Sequence, residues 1–439
     1  MKRILIVILV TLFISSLVTG CKKEDTEGQI ETRDIENQSQ KLSEEPSKIL
    51  VVYCDYGIRR DFFRVLVKDF NALHPNVEIV EYDPTDGGKV SDNDAAIKLN
   101  IDILAGKGPD IIFSSGNGLN NKAITSGSFV DLNQLIEEDT TFNINEYDKA
   151  IMDAGVFGGK RVILPCLYYT LNLMTTNERM SELGIPLTKL SSPEGVLDAF
   201  EIAAERGQLT YFQISCMAYW SWFESIIDYE NSTIDRENVY LRRVVELMKA
   251  IKNRDNLPYV IKDNSKEAFD EIYETEAFFI IPDLPFMVAY YDAHDAECET
   301  VEIPNDFSGT TATISMFSAI NQNSKNKDLA WDFLKCTLSK SFQSNYYIHL
   351  SSLPVLRGIQ EETYTFICRQ YSDGDTEHKN EMSLHLLESR RPITNAITAF
   401  ELNDINTLLE KFSPYIDDEK SYEECLAEVL NYYAIYLSE

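Results

Sequence analysis

The stretch Leu104-Ala105-Gly106-Lys107-Gly108-Pro109-Asp110-Ile111-Ile112-Phe113-Ser114-Ser115-Gly116 decides the fold. Ala96, Leu99 and Ile103 precede it at helical spacing, and Gly106 can take the left-handed conformation that ends a helix. Pro109 cannot continue one, so the helix stops here. Ile111, Ile112 and Phe113 then form an apolar run without alternation, which predicts a parallel strand covered on both faces. Ser114, Ser115 and Gly116 follow at its carboxyl end, the place where open α/β sheets hold their ligands.

The chain before this stretch has the same grammar. Ile49 to Cys54 reads as a first buried strand, closed by Asp55, Tyr56 and Gly57. Phe62, Leu66, Phe70 and Leu73 then mark one face of a helix, which His74-Pro75 stops, and Val77 to Tyr82 is strand-like. Strand, helix and strand at short spacing form a βαβ unit, which requires a parallel sheet. At 439 residues the chain exceeds the roughly 250–300 that one hydrophobic core serves, so two lobes are expected. Lys plus Arg number 40 against 71 Asp plus Glu, a formal charge of −31 with no basic patch, which argues against nucleic acid as a partner.

The first residues set the compartment. Lys2 and Arg3 precede an apolar run from Ile4 to Leu17, about 14 residues and short for a membrane span, so residues 1–20 read as a signal peptide. Leu17-Val18-Thr19-Gly20-Cys21 looks like a bacterial lipobox, with lipid expected on Cys21. Lipid there would hold the mature chain on the outer face of a membrane. Residues 21–47, rich in Glu, Asp, Gln, Ser and Thr, read as a tether. The remaining cysteines, Cys54, Cys166, Cys216, Cys298, Cys336, Cys368 and Cys425, form no C-x-x-C pair and are expected mostly as reduced thiols; their pairing is open.

Several segments resemble, in order, elements of the bacterial extracellular solute-binding proteins of the sugar-transporter type (family 1). Phe70-Asn71-Ala72-Leu73-His74-Pro75-Asn76-Val77 is similar to that family's Phe-x-x-x-His-Pro-Asn-Val, and Gly106 to Asp110 to its Gly-x-Gly-Pro-Asp. Gly127-Ser128-Phe129-Val130-Asp131-Leu132 resembles its Gly-x-Leu-Val-Asp-Leu, and Ala154 to Pro165 its hairpin, without the usual Tyr. Ser324 to Leu338 resembles its Ser-Lys-Asn-x-x-x-Ala-Trp-x-Phe-Leu helix, with Ala330, Phe333, Leu334, Thr337 and Leu338 on one stripe, and Leu353-Pro354-Val355 follows as in the family. The family's Thr-Trp-x-Glu is absent, so its contacts cannot be carried over. The resemblance implies a two-lobed periplasmic-binding-protein-like α/β fold (type II), a ligand cleft between the lobes, and partnership with the permease subunits of an ABC importer. On it we expect lobe 1 at 48–165 plus 309–345 and lobe 2 at 166–308 plus 346–439, with crossings near Leu164–Thr170, Ile303–Thr311 and Tyr346–Leu353.

Chemical motifs are few. There is no H-E-x-x-H, G-x-S-x-G or Walker A string, and Asp92-Asn93-Asp94 and Asp373-Gly374-Asp375 read as turns rather than cation loops. We therefore expect no catalytic residue, no metal, no cofactor, and a monomer. Aromatic content is high, with 23 Tyr, 22 Phe and 3 Trp. Tyr56, Tyr168, Tyr169, Trp220 and Trp222 sit at predicted strand ends or crossings, and Asp283 ends the apolar run from Ala277 to Pro282. Flat rings beside Asp and Ser suit a sugar, whose C–H faces stack and whose hydroxyls need paired donors and acceptors. Tyr56, Ser114, Ser115, Tyr168, Tyr169, Trp220, Trp222 and Asp283 are the ligand-binding candidates, with Trp222 as a stacking surface if 218–227 is helical. Carriage of a sugar or oligosaccharide to an importer is the main reading; a surface glycoside hydrolase and a polysaccharide-binding adhesin are the alternatives.

Overall fold

The computed structural model describes residues 48–55, 60–116, 119–209, 226–228, 233–252, 277–281, 284–294, 298–345 and 352–437. β1 (Lys48–Cys54), a helix (Arg60–Leu73) and β2 (Val77–Glu81) form the expected βαβ unit, with β1 parallel to β2 from Lys48 opposite Val77. The helix Asp92–Leu104 then leads to β3 (Ile111–Ser114), buried along its whole length and parallel to β1 on its other side. Gly106 ends that helix at φ +70°, and its Cα lies so close to Asn323 that an added Cβ would meet Nδ2 at 2.9 Å. Asp92-Asn93-Asp94 departs from the expected turn. It opens the helix, because Ser91 accepts a hydrogen bond from the Asp94 amide and caps it.

The hairpin β4 (Val156–Phe157) and β5 (Lys160–Arg161) turns on Gly158-Gly159, both at positive φ. β6 (Leu164–Tyr169) belongs to the same sheet as β1, and β7 (Asn172–Thr176) to a different one. A second hairpin pairs β8 (Ile227–Asp228) with β9 (Thr233–Ile234). β10 (Phe279–Ile281) and β11 (Cys298–Glu302) flank β7 antiparallel in the small sheet. β12 (Thr310–Ile320), β13 (Leu353–Pro354) and β14 (Ile393–Thr398) return to the large one. The large sheet has the order β13-β6-β12-β3-β1-β2, with β14 parallel to the first half of β12. The chain thus leaves the large sheet between Tyr169 and Asn172 and returns to it between Glu302 and Thr310.

Two hydrophobic cores follow the two sheets, the division expected for a two-lobed α/β protein. The first gathers Leu50, Phe70, Ile112, Phe113, Leu164, Phe317 and the stripe Ala330, Phe333, Leu334 of the helix Lys327–Leu338. The second gathers Leu173, Phe200, Val244, Phe278, Leu408 and Val429. The described residues 352–437 divide between the two cores. Leu353, Val355, Tyr364, Ile367, Met382, Leu386 and Phe400 pack in the first core, whereas Ile405, Leu408, Phe412 and Tyr433 pack in the second. The physical reason is strand pairing: β13 completes the large sheet beside β6 and β14 beside β12, which ties the helices Gln360–Tyr371 and Thr376–Glu388 to that side. The helix Ala399–Glu410 spans both, with Phe400 in one core and Leu408 in the other.

Cys54, Cys166, Cys298, Cys336, Cys368 and Cys425 are buried, and burial pushes the thiols of Cys166 and Cys368 up to about 12. Cys216 lies outside the described residues. Among the described residues no helix is long and apolar enough to cross a membrane.

The bridging helix carries a titratable group. Glu401 accepts hydrogen bonds from the Thr398 amide at 2.6 Å and its hydroxyl at 2.7 Å, yet burial outweighs them and pushes its carboxyl up to about 6. A raised carboxyl favours the folded state while protonated, so this contribution is complete below the ordinary value of 4.5 and lost as pH rises through about 6. Glu401→Gln keeps an acceptor without the charge. Its denaturation midpoint should therefore gain on the parent's between pH 4.5 and 7, and a constant difference across that window would contradict the assignment.

Candidate functional site

Strand direction fixes where the site lies. β1 and β3 are parallel, β12 runs against β3, and β6 runs against β12, so β1, β3 and β6 point the same way. Their carboxyl ends share one edge of the sheet, and the residues there are Asp55, Ser114 to Gly116, Tyr169 and Thr170. β13 runs against β6, which puts its start, next to Ser352, at the same edge. From this edge the chain crosses to the small sheet, so the polar residues face the seam between the two cores.

Asp55 organises the first half of the edge and is only 4% exposed. Its Oδ2 accepts from Ser114 Oγ at 2.6 Å, from the Ser115 amide at 2.7 Å and from Ser115 Oγ at 2.9 Å. Ser114 Oγ in turn accepts from the Gly116 amide at 2.9 Å, at a residue whose φ of +94° turns the loop sharply away from the strand. Ser114 is fully buried, and its hydroxyl is taken up between Asp55 and Gly116. It therefore shapes the loop rather than facing a solute, while the half-buried Ser115 stands at the rim. The sequence reading names both serines as candidates and passes over Asp55, although an acid closing a buried apolar strand was the available signal.

β6 supplies the second half. Side chains alternate along a strand, so Tyr168 and Tyr169 face opposite ways. Tyr168 is 1% exposed within the first core, and its Oη accepts from Arg390 Nη2 at 3.0 Å; burial holds the phenol above its ordinary value. Its ring is enclosed and has no face for a solute. Tyr169 is half-buried and lines a small recess with Thr170, Asn172, Leu284, Ser352 and Leu353. Ser352 Oγ lies 2.8 Å from Ser315 Oγ beside it. Asn172, the first residue of β7, and Ser352 are further polar residues of the recess that sequence reasoning missed; Ser352 arrives only through the pairing of β6 with β13, far apart in the chain.

Tyr56, Trp220, Trp222 and Asp283 lie outside the described residues, as does Cys21. Tyr56 directly follows Asp55, and Asp283 directly precedes Leu284 of the recess. Among the described residues no group of His, Cys, Asp or Glu side chains is placed to hold a metal ion. His74 pairs with Asp332 at 3.2 Å and His378 with Asp292 at 2.9 Å, each between packed helices. What the edge holds is a buried carboxylate that fixes the two serines of its loop, with a half-buried tyrosine beside the crossing.

Two α/β lobes joined by crossing strands, with a polar edge at the seam, define a protein that captures a small solute between lobes. The chain belongs to the bacterial extracellular solute-binding proteins, whose family model matches residues 66–365. Its place of work is therefore extracytoplasmic. Among solved structures it is similar to the sugar-binding protein MalE from Xanthomonas citri, with 13% identity and a TM-score of 0.59 over 89% of this chain and 98% of that one. It is also similar to a cyclic α-maltosyl-1,6-maltose binding protein from Arthrobacter globiformis, with 17% identity and a TM-score of 0.54 over 90% and 99%. An ABC substrate-binding protein from Listeria monocytogenes, solved in complex with cycloalternan, gives 13% identity and a TM-score of 0.53 over 89% and 99%. At these identities the likeness establishes the fold. No protein with a curated description matches the chain in sequence.

Proposed function

We propose that this protein captures a sugar or oligosaccharide outside the cell membrane and delivers it to the permease subunits of an ABC importer, without altering any bond in it. The observation that carries the reading is the common carboxyl edge of β1, β3 and β6, where Asp55 fixes the loop that presents the half-buried Ser115 and Tyr169 lines the recess at the crossing between the lobes. The solute-binding family, and relatives in fold that hold maltosyl and cyclic oligosaccharides, support it. Tyr56, Trp220, Trp222 and Asp283 are proposed to complete the contacts, with Ser114 and Tyr168 supporting them from within.

The first lobe is taken as the described residues of 48–165, 309–345 and 352–400, and the second as those of 170–281, 298–308 and 401–437. A solute that touches both only when they are closed shifts the population toward the closed form. Lipid on Cys21 and the tether 21–47 are proposed to keep a monomer at the outer membrane face, beside its importer.

The test is incubation with a panel of mono-, linear and cyclic oligosaccharides, followed by thermal shift, chromatography and small-angle scattering. A raised melting temperature, unchanged saccharide and a smaller radius of gyration are the expected results. Shortened saccharide would instead identify a glycoside hydrolase, and binding without any change of radius would argue for a rigid adhesin.

A further inference from the structure

The crossings between the lobes meet at one buried carboxylate. Glu302, the last residue of β11, has no exposed surface. Its Oε1 accepts from Thr170 Oγ1 at 2.8 Å, on the connection from β6 to β7, and from Arg390 Nε at 3.4 Å. Its Oε2 accepts from the Arg391 amide at 2.5 Å, just before β14. One side chain thus ties the outward connection, the returning connection and the approach to β14.

The two neighbouring arginines diverge from it. Arg390 reaches into the first core, donating to Tyr168 Oη at 3.0 Å with its guanidinium over the Tyr364 ring at 5.7 Å. Arg391 reaches the other way: its Nε donates to the Glu302 carbonyl at 2.9 Å, and its two terminal nitrogens donate to the carbonyls of Ser191 and Leu190 at 3.3 Å. Leu190 belongs to the second core. The backbones touch as well, since Thr310 N donates to the Pro392 carbonyl at 2.9 Å and a Cβ on Gly309 would meet that oxygen at 2.3 Å. Asn305 seals the contact, donating from Nδ2 to Thr311 Oγ1 at 3.0 Å and to Thr394 Oγ1 at 2.9 Å.

We infer that Glu302, Arg390 and Arg391 form the pin about which the lobes turn, with Arg391 as the positioning residue that sets how far the ligand-free lobes stand apart. The inference rests on the lobe-closure reading above. A buried carboxylate cannot be separated from its guanidinium without leaving charge in the interior, so Glu302 and Arg390 keep their geometry as the lobes move. The Arg391 bonds to Leu190 and Ser191 are long, and Ser191 is exposed, so they are the contacts that give when the angle changes.

The test compares Arg391→Ala with Arg206→Ala. Arg206 makes the same kind of contact, donating to the consecutive carbonyls of Glu182 and Leu183, but within the second lobe. Dyes introduced at the exposed positions Lys89 and Glu237, one on each side, report the lobe separation in ligand-free protein. Arg391→Ala should shift the ratio of near to far separations by at least about tenfold, the effect of a single charged hydrogen bond, since it removes both the Ser191 and the Leu190 contact, while Arg206→Ala leaves it as in the parent. Arg391→Lys, which keeps a single donor, should fall between and serves if the alanine variant does not fold. An unchanged separation in both Arg391 variants, with a loss of melting temperature like that of Arg206→Ala, overturns the pin. Because the readout needs no ligand, absence of saccharide binding by the parent would refute the proposed function and leave this comparison readable.

Discussion

Asp55→Ala should cost roughly 2–4 kcal/mol of stability and remove measurable solute binding, because it strands the groups that the carboxylate holds. Ser114 Oγ, the Ser115 amide and Ser115 Oγ all donate to Oδ2 within 2.9 Å, and the Ser114 end of that set is sealed from solvent. Alanine leaves three donors without their acceptor and releases the loop that turns at Gly116. Asp55→Asn keeps one oxygen in place and should lose less stability, while still weakening capture. Urea denaturation with a saccharide titration checks both variants. An Asp55→Ala protein as stable as the parent would show that the serines find water or other partners, and that the acid is not the organiser of this edge.

Cys21→Ala should move the protein from the membrane fraction to the medium almost completely. Two or three acyl chains, at ~0.8 kcal/mol per buried methylene, anchor a protein stably where one chain gives only reversible binding. After Lys22-Lys23 the residues that follow Cys21 are mostly acidic and polar, with no apolar run to serve as a second anchor. Fractionation of cells expressing parent and variant reads the result directly, with saccharide binding by the released variant as the control for folding. A variant that remains as firmly membrane-bound as the parent would mean that the uncleaved apolar run, or some other contact, holds the chain.

Both expectations come from places where local sequence carries the physics, and the fold shows how far such places extend. The βαβ unit from Lys48 to Glu81 was legible because continuous apolar runs and helical spacing are short-range signals. The stripe of the helix Lys327–Leu338 was legible for the same reason, and every residue assigned to it is buried. The placement of 353–398 was not. Whether β14 joins the large sheet depends on pairing Thr310 with Ile393, and nothing near either residue states that partnership.

The candidate site divides along the same line. The sequence by itself determined β1, β2, β3 and the apolar run that holds β10, with the loop at Ser114 to Gly116 and the tyrosine pair Tyr168-Tyr169, since composition and periodicity fix what each segment can bury. It also carried the elements by which the family is recognised. Only the tertiary structure decided that Tyr168 turns inward while Tyr169 faces the seam, and that Asp55 holds both serines. Only the tertiary structure brought Glu302 to Arg390 and Arg391, across 88 and 89 residues of chain. The reason is the range of the forces involved. Burial preference acts residue by residue and leaves a pattern in the sequence, whereas a hydrogen bond between distant side chains exists only after the strands that carry them have found their register.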